Sequence, residues 1–433
     1  MNRCVRLSLL ILPMIVGTAS SATIHVEADG SGDVATILDA VNAASPGDTV
    51  MLADGTYTGS GNREIDITKY IVVQSESGAP EQCVIDCDGT PALNHYGFYI
   101  HFVGSPGPVI EGLTIREGAW GAGGAVHIAP SGPGTCASTI RNCQFSENWC
   151  SSWGAAIGVN TGASLSLSQC VFTGNSSASV GGALGLYGGS SCAASDCEFS
   201  LSQASVKGGA VWARAAEATF ADCLFGDNVT SNGGGAIYAE ACTLSYDTCR
   251  FLSNRSSANA GVVYLDGGSL EMTGCTTCGN KGGNSGAWLG SSSTTVTITG
   301  CSFVADTASI GVFYIMGSTS LALENTAIAF GVGCEALYCS GTPSPTAVCC
   351  DIYGNQSGNW MGCLSGMDGS NGNFSEDPLF CDIPSRDLTV EDCSPCLAAN
   401  NTCGVDIGAY ASGCACGEAT EPITWGAVKA LFK

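Results

Sequence analysis

The chain has 433 residues, 60 glycines against 14 prolines, and 45% apolar residues, a balance that excludes disorder and, without a Gly-X-Y period, collagen. Its formal net charge of -24 is spread without long acidic tracts. That charge disfavours nucleic acid, anionic lipid and polyanionic polysaccharide as partners unless a cation bridges the two.

Residues 1–22 read as a secretory signal: Arg3 and Arg6 precede an apolar run from Leu7 to Val16, and Ser20-Ser21-Ala22 offers small residues for cleavage near Ala22. The run is too short to span a bilayer, and no other long apolar stretch follows, so no transmembrane segment is expected in the mature chain. Export agrees with the 26 cysteines, which point to an oxidising compartment and several disulfides. Residues 23–350 are expected to form the main body. Within it, Thr36 to Ala44 reads as a short amphipathic helix capping one end.

Asp86 and Asp88 in "DCDG" read as a turn, with a calcium loop as the alternative. Beyond them begins a repeat. Cys143, Cys170, Cys197, Cys223, Cys249, Cys275 and Cys301 recur at intervals of 27, 27, 26, 26, 26 and 26 residues. Two places on stand Phe145, Phe172, Phe199, Phe225, Phe251 and Phe303; five places on stand Asn148, Asn175, Asn228, Asn254 and Asn280. A "GGA[VIL]" element keeps the same register from Gly123 to Gly234, then decays. Fixed-period self-similarity is the mark of a solenoid. Inside each repeat the apolar period is two, as in Leu165/Leu167 and Leu184/Leu186, and no helical run occurs. The fold class expected is all-β, a parallel β-helix with an N-terminal helical cap. Asparagine at a bend suits left-handed backbone and a bond to its counterpart one coil on. The cysteine column is expected to be mostly reduced core packing, because in-register parallel strands orient thiols poorly for a disulfide.

The repeats resemble those of chlamydial polymorphic outer-membrane proteins. The wider pattern, with "DGSGDVATILDAVNAASPGDTVMLADGTYTG" from Asp29 to Gly59 and the later Asp377-Pro378-Leu379-Phe380 and Asp406-Ile407-Gly408-Ala409-Tyr410, resembles the pectin-lyase-like right-handed parallel β-helix of secreted bacterial proteins. That resemblance implies the fold and an extracellular setting. The catalytic elements of polygalacturonase-like members, Asn-Thr-Asp, Asp-Asp, His-Gly and Arg-x-Lys, are missing.

The repeat predicts which side chains face outward. One column runs Tyr99, His127, Gly158, Gly185, Trp212, Tyr238, Tyr264, Leu289 and Tyr314. Its neighbour runs His101, Ala129, Asn160, Tyr187, Arg214, Glu240, Asp266, Ser291 and Met316. Trp212, Tyr238 and Tyr264 therefore form a candidate carbohydrate platform beside Arg214, Glu240 and Asp266. Glu240 and Asp266, about 4.8 Å apart at the backbone, could hold calcium or, with Arg214, serve a lyase or glycosidase. The same pattern also arises where stacked rings and ion pairs only stabilise neighbouring strands. His127, near Tyr99 and His101, is a second candidate site.

Residues 351–416 read as a Cys-rich end of the β-helix. The eleven cysteines from Cys334 to Cys416 read as disulfides stapling the last coils. Cys393-Ser-Pro-Cys396 has metal-like spacing, but export favours a disulfide. Residues 417–433 read as a linker and an amphipathic tail carrying Trp425, Val428, Leu431 and Phe432 on one face. "NVT", "NRS", "NQS" and "NFS" match the glycosylation pattern. These features together favour an exported, non-catalytic surface or extracellular protein that binds a polysaccharide or a host or cell-surface component. A polysaccharide lyase or glycoside hydrolase on the same scaffold is the alternative.

Overall fold

The computed structural model describes residues 21–132 and 134–417. The expected signal segment up to residue 20 and the tail from residue 418 lie outside the described residues. The rest is a parallel β-solenoid. Twelve short strands, from Gly55–Tyr57 to Asp351–Tyr353, stack in one sheet. A larger sheet holds the strands that follow each "GGA" element and those after the next bend. In three coils these fuse into single long strands, Ile237–Asp247, Val263–Thr273 and Ser285–Thr299. A six-stranded sheet from Ala119–Ala122 to Arg255–Ser256 completes the wall.

The expected helix is present as Ile37–Ala43. The Thr36 hydroxyl accepts from the Asp39 amide at 3.2 Å and donates to the Asp39 carboxylate at 2.8 Å, a reciprocal N-terminal cap. Ile37, Ala40 and Val41 are buried against the first coils.

Coils pair at equivalent positions, so each inward residue meets its own counterpart. Phe145, Phe172, Phe199, Phe225 and Phe251 stack with ring centroids 4.6–5.0 Å apart. Asn254 Nδ2 donates to Asn280 Oδ1 at 3.0 Å and to the Phe225 carbonyl at 2.9 Å, and Asn228 and Asn148 repeat the pattern. These amides are fully buried, and each bond lost would leave a buried polar group unpaired, at about 1–3 kcal/mol. Left-handed backbone falls not on the asparagines, as expected from sequence, but on the residue before each: Glu147, Asp227 and Ser253. The asparagine that follows directs its amide into the bend.

The cysteine column is buried and free of disulfides. Each thiol donates to the carbonyl two residues back, at 3.2 Å in Cys223 and 3.3 Å in Cys170, so it satisfies the bend as well as filling space. Of the eleven later cysteines, eight form the pairs Cys339–Cys363, Cys349–Cys403, Cys381–Cys414 and Cys393–Cys416. Cys334, Cys350 and Cys396 stay free, so Cys393 and Cys396 do not pair. Four disulfides are consistent with an extracellular protein.

The disulfides do not merely staple the last coils. The chain folds back along the outside of the twelve-stranded sheet. Phe380, Ile383, Leu388 and Val390 cover Leu252, Cys278, Val304 and Ala329, and Arg386 donates to the Ser253 hydroxyl at 2.6 Å. Under this cover Asp351 is fully buried. It accepts from the Glu376 amide at 3.2 Å and the Cys396 thiol at 3.4 Å, and burial pushes its carboxyl up to about 8.

The amide ladder ends on a carboxyl. Asp306 accepts from the Asn280 amide and side chain at 2.8 and 2.9 Å and from the Thr277 hydroxyl. Full burial raises it to about 6 despite those bonds. Unfolded, it titrates near 4, so between about pH 4 and 6 the folded state holds a proton the unfolded state has released. Stability therefore falls as pH rises through that window. Asp306→Asn should remove this fall and raise stability above pH 7 by on the order of 3 kcal/mol. Urea unfolding from pH 4 to 8 should show a pH-dependent difference between the two proteins; a flat difference would contradict this role for Asp306.

Candidate functional site

The outward columns align as the repeat predicts. Trp212, Tyr238 and Tyr264 are direct cross-strand neighbours, as are Arg214, Glu240 and Asp266. Access is different from expectation. Trp212 is 9% exposed and Tyr238 4%, so neither offers a free ring face. Lys207, in the turn before the strand, places its Nζ 4.0 Å over the Tyr238 ring centroid and donates to the Tyr238 hydroxyl at 2.7 Å. Burial, with Tyr264 and the nearby carboxylates adding, pushes the Tyr238 hydroxyl well above its ordinary range. Tyr264 stacks on Tyr238 at 5.0 Å and remains half-buried.

The aromatic row is longer than the sequence showed. Trp153 and Tyr187 join it, Trp153 from a neighbouring strand and Tyr187 from the adjacent column. The Trp153 ring lies 5.7 Å from His127, 6.3 Å from Tyr187 and 6.2 Å from Trp212. It covers the two positions where the column has only glycine. A Cβ on Gly185 would fall 2.6 Å from the Trp153 ring and one on Gly158 3.0 Å from it. Tyr187 stacks on Trp212 at 6.2 Å and is 40% exposed. Ring contacts thus run from Tyr99 to Trp212, and the stacked pair of Tyr238 and Tyr264 continues the same column; Tyr187 is exposed, and Trp153 and Tyr264 are half-buried.

The polar column is already engaged. Arg214 pairs with Glu240 at 3.3 Å, and the Ser291 hydroxyl donates to Asp266 at 2.7 Å. Glu240 and Asp266 adjoin as the calcium expectation requires. Among the described residues, however, the one group of three ligand-type side chains within reach of a single ion is Glu391, Cys393 and Cys416, whose two cysteines form a disulfide. Asp86 pairs with Arg116 at 2.8 Å and bonds the Asp88 amide, the ordinary turn. At the second candidate, Tyr99 stacks on His101 at 4.3 Å. His127 Nδ1 bonds the Ala122 carbonyl at 2.9 Å, and burial lowers its pKa. The four sequons named from the sequence begin at Asn228, Asn254, Asn355 and Asn373, all buried bend residues that the folded chain does not offer to a glycosylating enzyme; Asn175 of "NSS" is buried likewise, whereas Asn400 of "NNT" is exposed.

Beside the polar column lies a trough that the repeat did not reveal. One part, of about 400 Å³, is lined by Gly189–Ser191, Ala215–Glu217, Ala241 and Thr243. A second, of about 330 Å³, continues from Ser191 and Glu217 over Ala137–Thr139 and Ser164–Ser166.

A family model described as the right-handed β-helix region matches residues 125–303 and 182–352, together more than half of the chain. The chain belongs to the right-handed β-helix family. No curated protein matches this β-helix. Among solved structures it is similar to the pectate lyase Pel9A, with a TM-score of 0.51 and 14% identity over 92% of this chain and 98% of that one. A pectin methylesterase from Aspergillus niger aligns with a TM-score of 0.30 and 12% identity over 83% and 91%. At 14% identity the likeness to the lyase is one of fold.

Gly185→Ala should push Trp153 off the row, at a cost of about 1–3 kcal/mol for the overpacked contact. Urea unfolding should show the loss and tryptophan emission should shift; unchanged emission would contradict the close approach.

Proposed function

We propose that this β-helix is an exported extracellular or cell-surface protein that binds a carbohydrate chain without cleaving it. The observation that carries the reading is the aromatic row, with Tyr187 exposed and Trp153 and Tyr264 half-exposed, on the face that also carries the trough. Ring faces stack on the apolar faces of sugars, while flanking hydroxyls and carboxylates take sugar hydroxyls. The chain's Arg3-to-Ala22 signal pattern and its disulfides support export, and no helix among the described residues is long and apolar enough to cross a membrane. The fold shared with a pectate lyase supports a polysaccharide partner by analogy only.

The ion pair of Arg214 with Glu240 and the hydrogen bond to Asp266 favour binding over catalysis, since neither carboxylate stands free beside an uncommitted base. The in-register placement of Glu240 against Asp266 keeps a lyase or glycosidase as the second reading.

A panel of soluble polysaccharides should be scored for both retention and cleavage, with and without calcium. Retention without new chain ends is expected. Trp153→Ala with Tyr264→Ala should lower affinity at least tenfold, which is about 1.4 kcal/mol. Cleavage that Glu240→Gln abolishes would establish the enzymatic reading instead, and retention untouched by the aromatic double variant would remove the row from the binding site.

A further inference from the structure

We infer that the bound chain is an uncharged glycan lying lengthwise in the trough, an inference that rests on the carbohydrate-binding reading above. Three observations support it.

The first is shape. The trough's two parts share Ser191 and Glu217 and so form one depression. Its floor crosses five coils in strict register, Ala137, Ser164, Ser191, Glu217 and Thr243. Five coils at about 4.8 Å per step span roughly 19 Å along the solenoid axis. Each step is close to the advance of one pyranose unit in an extended chain. No large aromatic or aliphatic side chain stands on the floor, so the backbone of an extended polymer can lie along it.

The second is chemistry. Outward hydroxyls, Thr139, Ser164, Ser166, Ser191 and Thr219 among them, alternate with small apolar groups, and hydroxyls both donate and accept hydrogen bonds as sugar hydroxyls do. Tyr187, two to four residues before Gly189–Ser191, offers an exposed ring at the margin.

The third is charge. Glu217 is the one ionisable side chain lining the trough, and it is exposed with no ion-pair partner among the described residues. The cations on these coils are committed elsewhere: Arg141 to Glu111 at 2.6 Å, Lys207 to Tyr238, and Arg214 to Glu240. The exposed Arg250, Arg255 and Lys281 belong to or continue the other two sheets. A polyuronate would bring a row of carboxylates against Glu217 and Glu240 on a chain already at -24, with nothing left to neutralise them. Glu217 instead suits a neutral sugar, whose hydroxyls it can accept in charge-assisted bonds.

The test uses the full chain in affinity electrophoresis and calorimetry against a linear β-glucan, a xylan and polygalacturonate, in EDTA, at low and high salt. At least one uncharged glycan should bind, with less than twofold change between the two salts. Polygalacturonate should not bind, and Glu217→Lys should gain some affinity for it at low salt. Ala193→Ile places a branched aliphatic side chain, with no ring to stack on a sugar, on the floor at an exposed position that leaves the core untouched. It should lower uncharged-glycan affinity at least tenfold while the unfolding midpoint stays unchanged. Binding of polygalacturonate by the unaltered chain in EDTA would overturn the uncharged class but leave carbohydrate binding standing. Undiminished binding by Ala193→Ile would overturn the trough as its place. Failure to bind any glycan would overturn the reading beneath both.

Discussion

In-register hydrogen bonding between successive coils is the constraint on which the rest of the molecule depends. Because the strands run parallel and pair at equivalent positions, every residue lies over its counterpart from the preceding repeat. Only side chains that pack well against themselves can fill such a column. Phenylalanine does so by stacking. Asparagine does so because one amide carries both a donor and an acceptor. Cysteine does so as a small thiol that also donates to the bend carbonyl. Where a repeat departs from this set, the structure shows an adjustment. Ser202 has no amide to pass on, and only its backbone N–H reaches Asn228 Oδ1, at 3.0 Å. Asp306 accepts but cannot donate onward, and it closes the run.

The same constraint shapes the outside. A residue type repeated at an outward position becomes a continuous strip, so a surface property is written along the axis instead of at a point. The strip over the twelve-stranded sheet changes from Ser146, Thr173, Ser200 and Gly226 to Leu252, Cys278, Val304 and Ala329, and the returning C-terminal segment covers the apolar half. On the adjoining sheet the strip is aromatic, and beside it lies the hydroxyl-lined trough. A binding face of this kind takes extended polymers because it is itself a one-dimensional array.

Much of this was legible before the structure. The spacing of cysteine, phenylalanine and asparagine gave the coil, and period-two alternation gave the cross-strand partners of Tyr99, His127, Trp212 and Tyr238 correctly. Access to those partners was not legible. Alternation reports the direction in which a side chain leaves the backbone, whereas Lys207 and Trp153 reach over the face from turns and a neighbouring strand, where no period applies. The trough escaped because its floor is a column of small residues, Ala137, Ser164 and Ser191 among them, and alternation reports that they face outward but not that the surface is recessed there. The return of the C-terminal segment joins Arg386 to Ser253, 133 residues apart, and no local pattern reports such a contact. The apolar switch at Leu252 was its one visible trace. The sequons at Asn228 and Asn254 were misleading because those asparagines are members of the buried ladder itself.

The central claim is that a glycan lies along the trough and the open aromatic rings. Hydrogen–deuterium exchange on the full chain, with and without a saturating linear uncharged oligosaccharide, tests it most directly. Protection is expected in the segments containing Tyr187 to Ser191, Arg214 to Thr219 and Glu240 to Thr243, repeating at the coil interval. Protection confined to the sheet bearing Arg250, or to the returning C-terminal segment, would contradict the account.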